Sequence, residues 1–488
     1  MKTKAKKLVT LILTALLVLS ILPMNVFAEQ RNVVADSKAS ITIENAVEKD
    51  KLEAYKVVDI TYNAGNNTLS YAWNSAFAEY FTAYTVKQFA ALDSDALKSL
   101  LAGLPNYISA KNIAPVDTQT VAAGGTATFA DLAMGEYFIR PTSTTSVYQL
   151  MLQKVEPTVV DGAYVIKDLT FIAKHQEVSV TKTADKTSVT KGEKVTYTIT
   201  VDIPTYATGA VDKSFYVSDL LPDGLTIDVG SIKVQIEGVD VAAAAYTLET
   251  TPTAEYTFKL NVSTAQYAAN WSANGGKALV ITYTATLNDN DTTAVNTTET
   301  NTVTFDYSNY PYVGNSHKQK TDTVDVTTFA IKIDKFVKDN ENNKLAGAKF
   351  DLYRTATQAE INAGKSSEIP HTSIQGIKLE SDKVTDADGV ATFAKYEANG
   401  TKYDYYLVET QAPSGYNILD NAVKVNFTDA EVEATAGFYP VKVPNSSGIQ
   451  LPITGGTGTV IFTIIGIALM VGAVVLFVVS RKKAEESK

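Results

Sequence analysis

The chain has 488 residues, too many for one hydrophobic core and enough for about three domains. Its formal net charge of −10 argues against a surface for nucleic acid or another polyanion. With no cysteine, it can have no disulfide staple, no thiol nucleophile and no internal thioester.

At the N-terminus Lys2, Lys4, Lys6 and Lys7 precede an apolar run from Leu8 to Leu22. Pro23 breaks that run, and Val26-Phe27-Ala28 offers small residues before a cut. This pattern predicts a secretory signal peptide over 1–28 and an exported chain. The run is shorter than the roughly 20 residues a membrane span needs.

Strand signals dominate the mature chain. Val178-Ser179-Val180-Thr181-Lys182, Val195 to Val201, Thr302 to Tyr307 and Ile331 to Lys335 all alternate. Turn residues separate such runs, as at Lys191-Gly192, Pro222-Asp223-Gly224, Asp388-Gly389 and Pro413-Ser414-Gly415. The fold class expected is mainly β, in tandem immunoglobulin-like β-sandwich domains. The exception is near Trp73 to Leu101, where Ala76, Phe77, Tyr80, Phe81, Tyr84, Phe89 and Leu97 recur at helical spacing. That predicts a small helical insertion of one or two helices in the first domain. Breaks near His175 and Thr327 give domains over 29–174, 175–326 and 327–445.

Residues 446–488 form a tail of another kind. A short polar linker leads to Leu451-Pro452-Ile453-Thr454-Gly455, an apolar stretch from Thr459 to Val479, and Arg481-Lys482-Lys483. The stretch is long enough to span a bilayer, and the positive end should stay cytoplasmic, leaving the body outside.

Two lysines stand out by their spacing. In the third domain Ile331, Ile333 and Lys335 share a strand face, and the apolar pair makes it the buried one. Val441, Val443 and Asn445 make a matching series in the last strand. If the first and last strands lie side by side and parallel, Lys335 meets Asn445. Glu409 shares a face with Leu407. A buried, unpaired ammonium would be very costly. In the second domain Val178, Val180 and Lys182 share a face. Parallel alignment with the last strand favours Asn309 as partner, with Asn301 as the alternative. In the first domain Lys56 lies in a strand-like run, but no asparagine follows the closing strand Leu169 to Ile172. Lys56 should therefore lay its stem on apolar surface and reach solvent.

Leu451 to Gly455, with its span and basic tail, resembles the L-P-x-T-G sorting signal of Gram-positive surface proteins. The resemblance implies that a sortase cysteine attacks the Thr454 carbonyl, releases Gly455 onward, and passes Thr454 to an amine. Tyr405, Leu407, Glu409, Thr410, Ala412, Pro413, Gly415 and Tyr416 match the Y-x-L-x-E-T-x-A-P-x-G-Y signature of Cna B-type domains in pilins and adhesins. Gly347 to Leu352 is similar to that family's second strand. This resemblance implies an intramolecular isopeptide bond between Lys335 and Asn445, promoted by Glu409. Burial favours the neutral amine as nucleophile and the protonated form of the acid. Val217 to Leu225 resembles the V-x-D-x-L-P-x-G-L segment of pilin middle domains, which makes Asp219 the acid for Lys182. Val165 to Lys174 is similar to the W-x-x-x-V-x-V-Y-P-K pilin motif, with Val165, Ile172 and Ala173 at the tryptophan, tyrosine and proline positions. Lys174 is then the amine that receives Thr454 of the next copy, with Lys167 as a neighbouring competitor.

The chain as a whole resembles sortase-assembled major pilins with isopeptide-forming domains. The expected function is the structural backbone of a covalent pilus; the alternative is an adhesin displayed singly on the wall. The partners implied are a pilus-class sortase, other copies of the chain, minor pilins and cell-wall peptidoglycan. The expected location is the cell surface, after transient membrane anchoring. No turnover enzyme, cofactor or metal is expected. His175, His317 and His371 are scattered, and Asp386-Ala387-Asp388-Gly389 lacks the further ligands of a calcium loop.

Overall fold

The computed structural model describes residues 29–142, 144–207, 209–288, 298–399, 402–433, 435–447 and 457–485. The expected signal peptide, the sorting motif and the start of the apolar stretch lie outside the residues whose side chains are described. The C-terminal helix Thr457–Glu485 is 29 residues long. Among the described residues no helix is long and apolar enough to cross a membrane.

The chain forms two compact units, divided near Thr327. In the first unit, the strand Lys51–Asn63 lies at the centre of a five-stranded sheet. A second sheet brings the closing strand Leu169–Ile172 parallel to Lys38–Glu44. Helices fill Val86–Phe89, Ser94–Leu101 and Leu104–Lys111. They begin later than the aromatic spacing predicts. Residues 75–83 form successive turns, and their aromatics serve packing: Trp73 stacks on Phe81 with ring centroids 4.1 Å apart. Leu104–Lys111, with proline in its first turn, lies beyond the range expected.

The same unit continues into a sandwich of two five-stranded sheets. One holds Val180–Ala184, Lys194–Asp202 and Ala278–Leu287; the other holds Phe215–Leu220, Thr298–Ser308 and His317–Thr327. Their inward faces are uniform. Val195, Tyr197, Ile199 and Val201 of one sheet oppose Val303, Phe305 and Tyr307 of the other, all buried.

His317, which showed no partner in the sequence, sits in this unit between two carboxylates. Its Nδ1 meets Asp306, and its Nε2 lies 3.1 Å from Asp212. The hydrogen bond with Asp306 holds the imidazole above its usual range against the opposing effect of burial. Burial acts to raise both aspartates, but hydrogen bonds outweigh it and hold them below the usual carboxylate range. The stabilisation from the histidine is therefore fully present below its unfolded value of about 6.5 and is lost as pH rises through the elevated folded value. The aspartates contribute above about 3.9 and lose their contribution as pH falls. A His317→Asn variant should be destabilised by about 2 kcal/mol near pH 5. The gap to wild type in denaturant melts should narrow in alkali.

The second unit is another sandwich. One sheet centres on Phe329–Val337, which pairs antiparallel with Val390–Tyr396 and parallel with the closing strand Phe438–Asn445. The facing sheet carries Lys349–Thr355 beside Tyr405–Gln411. Ile331, Ile333, Phe350, Leu352, Phe393, Leu407 and Val443 fill the core between them.

Candidate functional site

Each sandwich carries a buried lysine that continues an apolar inward series, Lys335 in the second unit and Lys182 in the first. In the second unit the inward series Phe329, Ile331, Ile333 continues to Lys335. The parallel register sets Ile333 opposite Val441, Lys335 opposite Val443 and Val337 opposite Asn445. Nζ of Lys335 lies against Oδ1 of Asn445 and 3.2 Å from Oε1 of Glu409, with both ionisable side chains 0% exposed. The Asn445 amide donates to both Glu409 oxygens, at 2.9 and 3.1 Å. Glu409 reaches in from Tyr405–Gln411 on the facing sheet, and the Leu419 backbone N–H donates to its Oε2 at 2.9 Å. Amine, amide and acid thus form a closed triangle in the buried core. Burial outweighs the attraction of Glu409 and holds the Lys335 amine below the usual lysine range.

The backbone under Lys335 is pinned as well. Its N–H donates to the Gly389 carbonyl at 2.8 Å, and its carbonyl accepts from Leu345 at 3.0 Å. Gly389 has φ of +74°, and a Cβ there would run into the Lys335 carbonyl. The Asp386-Ala387-Asp388-Gly389 sequence is a tight turn that carries the chain from Gln375–Val384 in one sheet to Val390–Tyr396 in the other. Asp386 Oδ1 accepts the N–H groups of Asp388 and Val390 at 2.9 and 2.8 Å.

In the first unit Lys182 is buried on Val180–Ala184 and meets Oδ2 of Asp219 on Phe215–Leu220. Tyr283 joins the cluster. Its Oη lies 3.0 Å from Lys182 Nζ, donates to Asp219 Oδ1 at 2.8 Å, and accepts from Asn301 Nδ2 at 2.7 Å. The rings of Tyr197 and Tyr283 lie 5.3 Å from Nζ. Burial pushes the Lys182 amine down and the Asp219 carboxyl up, each against the attraction of the other. Asn301 Oδ1 and the Tyr197 hydroxyl make no hydrogen bond of normal geometry.

Here the expected partner is corrected. Asp219 pairs with Val303, whereas Phe215 pairs with Tyr307, so Asn309 lies past the far end of this strand pair. The six residues from Val303 to Asn309 span about 20 Å of strand. Asn309 instead donates to the Thr144 carbonyl at 2.8 Å and accepts from Ser316 at 3.2 Å. The strand of Lys182 is not laid beside the strand of the asparagines. It pairs with Lys194–Asp202, and Lys182 reaches across the sandwich to the other sheet. Asn301, two residues before Val303, is the amide on the cluster.

Lys174 is exposed and follows the closing strand Leu169–Ile172, and its carbonyl accepts from Gln149 at 2.9 Å. Lys167 is half-buried. Lys56 reaches the surface and pairs with Asp59 at 2.8 Å. Among the described residues no group of three or more His, Asp or Glu side chains could hold a metal ion. Sequence reasoning does not single out Tyr283. The available signal is a tyrosine within the inward series Leu279, Ile281, Tyr283, Ala285, since a buried hydroxyl needs a polar partner.

Comparison with known proteins places the fold and the C-terminal motif. Residues 330–438 match the prealbumin-like fold domain family, and residues 443–486 match the LPXTG cell wall anchor motif. The chain is 26% identical over 339 residues to the fimbrial subunit type 1 of Actinomyces viscosus, covering 61% of this chain and 63% of that protein. It is 24% identical over 393 residues to the trypsin-resistant surface T6 protein of Streptococcus pyogenes serotype M6, covering 64% and 71%. The chain is thus similar to Gram-positive pilins and carries a match to their cell wall anchor motif. The fold is similar to that of the T6 backbone pilin of serotype M6 S. pyogenes, with TM-score 0.58, 21% identity and 81% of each chain covered. It is also similar to the major pilin SpaD of Corynebacterium diphtheriae, with TM-score 0.55, 17% identity and coverage of 86% and 99%. The match therefore spans a little under two thirds of the Actinomyces protein, and the tandem β-sandwich architecture is shared with the solved pilins.

Proposed function

We propose that this chain is the backbone subunit of a covalent pilus, joined head to tail by a sortase and stiffened by two internal Lys–Asn isopeptide bonds. The observation that carries the second half is the pair of buried lysine–acid–asparagine clusters. A simple ion pair would explain Lys335 and Glu409 but gives no role to Asn445, whose amide touches both. The neutral Lys335 amine attacks Cγ of Asn445. Glu409 takes a proton from the attacking nitrogen and supplies one to the departing nitrogen, and ammonia leaves. Lys182, Asp219 and Asn301 carry the corresponding reaction in the middle sandwich. Each bond forms once per molecule, so neither cluster is a turnover enzyme.

The assembly half rests on the anchor motif and on Lys174. Sortase would cleave after Thr454 in Leu451-Pro452-Ile453-Thr454-Gly455 and pass its carbonyl to Lys174 of another copy. Donor and acceptor are different surfaces, so the contact is heterologous and propagates as a fibre. Cell-wall peptidoglycan would receive the last subunit. Co-expression of the full chain with a pilus-class sortase should give ladders of high molecular weight on denaturing gels. A single wall-linked band would favour the adhesin displayed as one copy.

A further inference from the structure

The two clusters differ in how the acid reaches the amide. In the second unit both oxygens of Glu409 accept from Asn445 Nδ2, and Oε1 lies 3.2 Å from Lys335 Nζ. One carboxyl group can therefore exchange protons with both nitrogens. Asp219 is one methylene shorter. It touches Lys182 directly, but Nδ2 of Asn301 donates to Tyr283 Oη, and it is Tyr283 that in turn donates to Asp219. The phenol occupies the place between acid and leaving group that the longer side chain spans by itself.

We propose that Tyr283 is a catalytic proton relay between Asp219 and the departing nitrogen of Asn301. The inference rests on the reading of Lys182 and Asn301 as a bond-forming pair. In the step proposed, the neutral amine of Lys182 attacks Cγ of Asn301 and the Nζ–Cγ bond forms. Once Cγ is tetrahedral, the departing nitrogen carries a lone pair. Asp219 passes its proton to Tyr283 Oη as the phenolic proton passes to that nitrogen. The Cγ–N bond breaks and ammonia leaves. The proton shed by Nζ returns to Asp219, so acid and phenol end as they began. Burial among apolar side chains raises the phenol far above its usual range. Tyr283 is thus a poor acid alone, and the transfer is concerted, with no phenolate formed.

The test tracks both bonds within one molecule. The full chain, expressed without sortase, is digested at intervals, and the Lys182–Asn301 and Lys335–Asn445 linked peptides are quantified by mass spectrometry. Tyr283→Phe should slow the first bond by about 100-fold and leave the second at the wild-type rate, which controls for expression and digestion, while protease resistance of the 175–326 segment reports its folding. Adding Asp219→Glu to Tyr283→Phe supplies an acid long enough to reach Asn301 and should restore much of the lost rate. A middle-domain bond that forms at the wild-type rate in Tyr283→Phe would overturn the relay. So would a double variant no faster than Tyr283→Phe. If the wild type itself lacks the Lys182–Asn301 peptide while Lys335–Asn445 is linked, the pairing fails rather than the relay alone.

Discussion

A Lys174→Ala variant should abolish high-molecular-weight ladders when co-expressed with a pilus-class sortase, while Lys167→Ala should leave them intact. The expectation rests on how the lysine is presented. An acceptor amine must enter the site of an acyl-enzyme, so its side chain has to be accessible and its backbone held. The chain on either side of Lys174 is tied down. The Ala173 N–H donates to the Glu44 carbonyl at 2.8 Å, and His175-Gln176 pairs with Val147-Tyr148. Lys174 itself is exposed, whereas Lys167 is half-buried beside Asp168, which is engaged by Arg31 at 2.8 Å. Loss of the amine removes the nucleophile outright, so the effect on polymer is all or none. Ladders that persist in Lys174→Ala and vanish in Lys167→Ala would transfer the role to Lys167.

Glu409→Ala should leave the second unit without its crosslink and sharply less resistant to heat and protease. Removing the acid leaves a buried lysine without its carboxylate partner, so the amine must give up its proton or draw in water. Breaking such a buried pair costs about 3–5 kcal/mol. Losing a covalent closure of a loop of this size costs about 5 kcal/mol more in the chain-entropy description. Lys335 and Asn445 lie 110 residues apart. Together these costs are comparable to the whole stability of a typical domain. The mechanical consequence is larger still. The proposed bond would join the opening strand Phe329–Val337 to the closing strand Phe438–Asn445, which pair in parallel. With it, tension passes across the unit through covalent links. Without it, tension must be borne by hydrogen bonds worth about 1 kcal/mol each. Intact mass should show one ammonia more than wild type, and limited proteolysis should cut within 327–445.

Legibility of the clusters in the sequence depends on whether the two reacting strands are neighbours. Lys335 and Asn445 sit on adjacent parallel strands, and period-two alternation with Ile333 and Val441 brings both to the same face. Glu409 is readable from its place on a strand with Leu407. The middle cluster is half legible. Alternation puts Lys182 on an inward face and the turn motif marks Asp219, but periodicity says which face a residue takes, not which sheet lies opposite. Lys182 reaches across the sandwich, where register is fixed by Asp219 against Val303, so a parallel side-by-side alignment selects Asn309. Tyr283 is hidden for a related reason, because an inward tyrosine in a strand reads as core until its hydroxyl is seen to have partners. The helices of the first domain are displaced because tight turns at 75–83 bury aromatics at nearly the same spacing as a helix.

The central claim, that each sandwich is closed by its own lysine–asparagine bond, meets its most direct test in the intact mass of the wild-type chain expressed without sortase. That mass should fall short of the mature sequence from Glu29 by two ammonia molecules, with linked peptides joining Lys335 to Asn445 and Lys182 to Asn301. The full sequence mass, or a second linkage at Asn309, would contradict it.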